Sequence, residues 1–213
     1  SGASKPDYME NNSPPRIEEE AARRGIPVQS GGSLDLTTCN AKGERWDFSL
    51  RRKRDERMEI ASRDEPLFII GSPFCVAWSI LQNINRSKLG EERYQQMLAA
   101  ATSWMEPCVK RILNMIGVVA TALHMCAYGM KQMDAQGEGY IHKPTRITTK
   151  SFMMARRMGR TCPGGHRHIR LIGGRRTKDA QIYPRELCCQ LAFGILTQKE
   201  FDELVFGWSG PTM

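Results

Sequence analysis

The chain lacks any apolar run close to the ~20 residues needed to cross a bilayer, and no apolar signal segment opens it, so no membrane association is expected. It also lacks the dense, even cysteine framework of a secreted mini-scaffold. Its seven cysteines, at 39, 75, 108, 126, 162, 188 and 189, are scattered and odd in number. Reduced thiols in an intracellular compartment, nuclear or cytoplasmic, are expected instead. There is no Cys-x2-Cys pair and no internal repeat. A starting methionine is missing as well, as in a fragment or a processed product, since the chain begins Ser1-Gly2-Ala3-Ser4. Acid is in short supply: 31 Lys and Arg against 23 Asp and Glu give a formal charge of +8 and a pI near 9.3. An anionic partner is expected, with nucleic acid, DNA first, as the default.

What is present is enough for one core. A hydrophobic fraction of 40% spread over 213 residues suits a single domain with at most a small appendage. Strands alternate with helices, which predicts an α/β fold with a less regular, basic C-terminal third. Residues 1–16 are expected to be flexible, with a short edge strand near Tyr8-Met9-Glu10. Residues 17–193 form the α/β domain, and 194–213 a C-terminal helix and tail. Ile17 to Arg24 reads as a helix, acidic at its start through Glu18-Glu19-Glu20 and stopped by Gly25. Ser33-Leu34-Asp35-Leu36 is a candidate strand with Asp35 near its end, and Trp46-Asp47-Phe48 follows a loop. Leu50 to Ser62 mixes both charge signs at i,i+4 spacing, which fits a solvated amphipathic helix better than a phosphate patch.

Leu67-Phe68-Ile69-Ile70 reads as a short strand buried on both faces, broken by Gly71 and Pro73, with Cys75 and the helix-like run Val76 to Ile84 behind it. Open α/β sheets place their chemistry past the carboxyl end of such a strand, where a helix N-terminus also favours a thiolate. A small apolar core cysteine is the structural alternative. Further on come helices over Glu91–Ala101 and Ser103–Met115, an interior strand Val118–Leu123 and a loop over 131–144. A strand at Arg146–Thr149 and a basic helix at Ser151–Met158 follow. The rest reads as a turn at Cys162-Pro163-Gly164-Gly165, a strand Ile169–Ile172, a helix opened by Pro184 through Phe193, and a last helix Gln198–Phe206.

Several short patterns then line up in one order: Gly71-Ser72-Pro73-Phe74-Cys75-Val76-Ala77-Trp78-Ser79, Cys126-Ala127-Tyr128-Gly129, Lys143-Pro144-Thr145-Arg146-Ile147-Thr148-Thr149 and Ile182-Tyr183-Pro184-Arg185-Glu186-Leu187. Over roughly residues 8–193 the chain resembles a divergent branch of the S-adenosylmethionine-dependent cytosine-C5 methyltransferases. That branch includes phage-like enzymes and domains inside mobile-element polyproteins. The resemblance implies a Rossmann-like methyltransferase sheet flanked by helices, with Cys75 as the nucleophile that attacks C6 of a flipped-out cytosine. It further implies Arg146 as a cleft residue, Asp35 and Asp47 at strand ends holding the ribose and adenine of S-adenosylmethionine, and Ser72 and Pro73 beside that cofactor. Three departures stand out. Phe74 replaces the family's proline before the cysteine, Ser13-Pro14-Pro15-Arg16 replaces its Gly-rich loop, and the strand bearing its catalytic glutamate is missing between Cys75 and Trp104. Impaired catalysis is therefore expected unless a protein partner supplies the missing segment. The alternatives are a non-catalytic nucleic-acid-binding module and a structural or assembly subunit, the latter favoured if Trp78, Trp104 and Trp208 are exposed and basic residues cluster little.

The most compact ligand set is Cys162-x3-His166-x-His168 on a Gly-containing turn. Cys126, at a predicted strand end with His124 beside it, could complete a tetrahedral Cys2His2 zinc site. A basic loop touching phosphates is the alternative. Cys188-Cys189 points to core packing. The run Arg156, Arg157, Arg160, Arg167, Arg170, Arg175, Arg176 and Lys178 is the candidate nucleic-acid contact, and solvated surface its alternative.

Overall fold

The computed structural model describes residues 4–71, 86, 89–99, 114–171 and 174–207. The chain is mixed α/β, but among the described residues the strands form three small sheets that are not a clear Rossmann arrangement. The first sheet joins β1 (Tyr8–Asn11), β2 (Ser30–Leu34) and β3 (Phe68–Gly71) in the order β2-β1-β3, all parallel. Crossovers through α1 (Arg16–Arg24) and α2 (Arg51–Asp64) make that parallel pairing possible.

The expected edge strand is thus the centre of its sheet. β1 is buried along its whole length because layers cover both faces. Tyr8 belongs to a cluster with Ile17, Ala21, Leu187 and Cys188. Met9 belongs to another with Leu34, Trp46 and Phe48. The polar residues that suggested an edge have internal work. Glu10 accepts the Ile17 N–H at 3.1 Å and the Ser13 hydroxyl at 3.2 Å, so its carboxylate caps α1 from inside the protein. β3, expected to be buried on both faces, is half-exposed, with Ile69 50% accessible.

α1 forms as expected and ends at Gly25 in the left-handed region. α2 also forms, and its mixed charge is satisfied locally. Lys53 is buried, with its ammonium 2.7 Å from Glu44 and 2.9 Å from Glu56 and over the Trp46 ring. Residues 91–99 form α3. The predicted helix over Val76 to Ile84 and most of the one over Ser103–Met115 lie outside the described residues.

β4 (Val119–His124) is not an interior strand. It pairs antiparallel with β7 (Pro144–Thr149) in a two-stranded ribbon whose outer face is exposed. A short 3-10 helix, Met125–Tyr128, follows β4. The segment expected to be a loop is a hairpin of β5 (Lys131–Asp134) and β6 (Gly137–Ile141), and β6 also pairs in parallel with β8 (His168–Ile169).

α4 (Phe152–Met158) is capped by the Ser151 hydroxyl, which accepts the Met154 N–H at 2.9 Å. α5 (Gly174–Asp179) is short. The two predicted C-terminal helices are one, α6 (Arg185–Phe206), which crosses the expected boundary at residue 193. Gly194 does not break it. A Cβ there would stand 2.5 Å from the Met154 sulfur, so the glycine lets α4 approach. α6 packs against both α1 and α4 and draws the parallel sheet and the C-terminal third into one core, in which Cys188 and Cys189 are buried as expected. Among the described residues no helix is long and apolar enough to cross a membrane.

Candidate metal centre

Four ligand atoms converge: the sulfurs of Cys126 and Cys162 and one ring nitrogen each of His166 and His168 lie within 4.8 Å of one another. They are the four residues expected from the sequence. Each is placed by a local device. Cys126 sits in the 3-10 turn where β4 ends, and the Tyr128 hydroxyl pins that turn by donating to the Met158 carbonyl at 2.7 Å. Gly164 and Gly165 have φ of +77° and +72°, which only glycine adopts freely. The chain therefore doubles back after Cys162, and the Gly164 N–H donates to the Cys162 sulfur at 3.4 Å. Leading into β8, His166 and His168 share one side by the two-residue period of extended chain, and Arg167 takes the other.

The distances suit a tetrahedral ion. Bond lengths of about 2.3 Å to sulfur and about 2.05 Å to nitrogen put sulfur and nitrogen about 3.6 Å apart and two nitrogens about 3.3 Å apart in a tetrahedron. Here Cys162 Sγ is 3.4 Å from His166 Nε2 and 3.5 Å from His168 Nε2, and the two nitrogens are 2.9 Å apart. The protonation chemistry fits too. Burial, then the neighbouring imidazoles of His166, His142 and His124, lower the His168 pKa and favour the neutral ring that ligates metals. Burial, then the Cys162 thiol, raise that of Cys126. A divalent ion would offset that cost and favour the thiolate that ligates it.

No protein-family model, curated protein or solved structure matches this chain. The candidate metal centre therefore rests on its own geometry.

Sequence reasoning missed what surrounds it. The chain has four histidines, and all are here: His142 lies edge-on to His124 at 4.5 Å between centroids and 4.9 Å from His168. Tyr140, in the stretch read as a loop, covers His166 at 4.3 Å. Arg167 is no free phosphate contact. It donates to Asp134 at 2.7 Å and to the carbonyls of Gly137 and Glu138, tying the β5–β6 hairpin to the ligand strand. Gly139 makes this clamp possible, since a Cβ there would stand 2.8 Å from Ile169 and 3.0 Å from the Arg167 guanidinium. Gly139→Ala is therefore expected to cost about 1–3 kcal/mol by overpacking. Chemical denaturation would measure it, and zinc affinity should fall in parallel because β8 carries His168.

The other expected residues are scattered. Cys75, Ser72, Pro73, Trp78, Trp104, Trp208 and the side chain of Arg175 lie outside the described residues. Asp35 does follow the end of β2, and its carboxylate accepts the Thr37 N–H at 3.0 Å and hydroxyl at 2.8 Å, closing a local turn. Asp47 is not at a strand end. It precedes α2, accepts the Ser49 N–H at 2.9 Å, and those Ser49 bonds hold its pKa below the usual carboxylate range. Arg146 is exposed on β7 opposite Ala122. In the basic run, Arg157 lies over the Phe193 ring, and Arg160 pairs with Glu186 and covers Tyr128. Arg156, Arg170 and Lys178 are exposed and have no acidic partner among the described residues, and Arg176 is half-buried with its carbonyl bonded to Gln132.

Proposed function

We propose that this chain is a nucleic-acid-binding domain of methyltransferase-like organisation whose C-terminal half is ordered by a structural zinc ion. The observation that carries the reading is the convergence of Cys126, Cys162, His166 and His168 within 4.8 Å. Two thiolates and two imidazoles fill a tetrahedral zinc shell and leave no open position, which is the pattern of a structural site. Zinc would clip the end of β4 to the loop before β8 and so fix the frame that carries the basic residues.

Charge supports the nucleic-acid part. Between Glu138 and Asp179 the chain has eleven Lys and Arg and no acid. Arg146, Lys150, Arg156, Arg170 and Lys178 are its exposed members without an acidic partner among the described residues. Phosphate neutralisation by such residues makes affinity fall with salt, by a slope of about 0.9 per contact on duplex DNA. Fluorescence anisotropy of a labelled oligonucleotide across a salt series is the test. Replacing Arg156, Arg170 and Lys178 together by alanine should weaken binding at every sequence tried and flatten the slope by about 2–3 units. An unchanged slope would remove these residues from the interface.

Methyl transfer is the second reading, favoured by the parallel β2-β1-β3 order, with Asp35 past β2 and β3 leading directly into the Gly71–Cys75 segment. One feature opposes it. Parallel α/β domains commonly use the helix N-terminus after the first strand to hold a ligand, and here the Glu10 carboxylate already accepts the N–H of Ile17 at that end of α1. Calorimetry should accordingly detect no saturable S-adenosylmethionine binding at millimolar ligand. Saturable binding that Asp35→Ala weakens would restore the enzyme reading, with Cys75→Ala the next variant to assay.

A further inference from the structure

His124 is not one of the four converging ligands, yet it holds one of them from two directions. Its backbone N–H donates to the Arg160 carbonyl at 2.9 Å, and its ring Nδ1 lies 3.0 Å from the Cys162 backbone nitrogen. A backbone N–H can only donate, so Nδ1 is the lone-pair nitrogen of that ring and the proton of the neutral imidazole is on Nε2. His142 Nε2, 3.2 Å from the same Nδ1, can share that single lone pair only as the protonated nitrogen of its own ring. The two bonds from His124 bracket residues 160–162, so the end of β4 sets where the Cys162 main chain stands. The Gly164 N–H to the Cys162 sulfur completes the hold from the other side.

We propose that His124 is a positioning residue for the zinc centre, acting through its acceptor bond from the Cys162 backbone and oriented by His142. The inference rests on the zinc reading above. Without the Nδ1 acceptor the Cys162 N–H loses its partner, and the loop gains freedom that metal binding must then remove. Outer-shell partners of metal ligands typically contribute 10–100-fold to affinity. Asparagine can replace the function, because its Oδ1 stands where histidine Nδ1 stands and also accepts.

The test is zinc affinity by competition with a chromophoric chelator, for the full chain and for His124→Ala, His124→Asn and His142→Ala, with the visible spectrum of each cobalt-substituted protein alongside. His124→Ala should bind zinc about 10–100-fold more weakly, and His124→Asn should recover most of the loss. His142→Ala should have the smaller effect, and all cobalt spectra should coincide because the ligands are unchanged. Should His124→Ala not fold, hydrogen exchange at the Cys162 amide in the parent and His124→Asn reads the same bond and should show protection in both. Equal affinity of His124→Ala and parent, no recovery in His124→Asn, or an unprotected Cys162 amide would overturn the proposal. A changed cobalt spectrum in His124→Ala would make His124 a ligand instead. A parent that takes up no zinc overturns the metal reading itself, and this inference with it.

Discussion

Cys162→Ala is expected to strip the protein of zinc and lower its thermal midpoint by about 8–16 °C. Zinc held at about a thousand times its dissociation constant stabilises the folded state by about 4 kcal/mol. A chain of this size loses about 2–4 °C per kcal/mol. Cys126→Ala should behave alike, because zinc at the cluster would join the turn after β4 to the loop before β8 and either loss would unclip both. Cys39, exposed and in no ligand group among the described residues, provides the control: Cys39→Ala should leave zinc content and midpoint unchanged. Scanning calorimetry with elemental analysis of the same samples reads both quantities. A Cys162→Ala protein as stable as the parent, and indifferent to a chelator, would leave the cluster without a structural role.

Glu10→Gln is expected to stabilise the protein near neutral pH by up to roughly 3 kcal/mol. Glu10 is 1% exposed at the centre of the parallel sheet, and burial raises its pKa from 4.5 to about 7 despite its bonds from Ser13 and the α1 amides. A carboxyl whose folded pKa is raised holds its proton longer folded than unfolded. Its contribution is therefore fully present below about pH 4.5 and is lost as pH rises through about 7. A shift of that size corresponds to roughly 3 kcal/mol. Glutamine keeps the acceptor for the Ile17 N–H and removes the buried charge. Denaturant unfolding of both proteins at pH 4.5 and pH 8 decides the matter: the gain should be present at pH 8 and nearly absent at pH 4.5. A glutamine variant less stable than the parent at pH 8 would mean that the charge-assisted cap outweighs the cost of burial.

The four-ligand cluster was legible because a short loop carries its own chemistry. Cys162, His166 and His168 lie within seven residues, glycines supply the reversal, and Cys126 was found as a cysteine at a strand end. Helices α1 and α2 were legible from charge placement and the Gly25 stop. What failed has a common cause: residues chosen for tertiary contacts look like punctuation in sequence. Gly139 suggested a loop, yet it lets β6 run under Ile169 and Arg167. Gly194 falls between the two helices expected at the C-terminus, yet α6 runs through it and it admits the Met154 side chain. Tyr8-Met9-Glu10 was expected at a sheet edge, yet Glu10 and the following Asn11 are buried at the end of the central strand. The arginines of the basic run could not be sorted at all from sequence, since Arg167 is consumed by Asp134 and Arg160 by Glu186 through contacts about thirty residues distant.

The most direct test of the account is X-ray absorption at the zinc edge on protein purified without added chelator. The account predicts one zinc per chain with two sulfur ligands at about 2.3 Å and two imidazole nitrogens at about 2.05 Å. Absent zinc, or a shell of oxygen and nitrogen only, would contradict it.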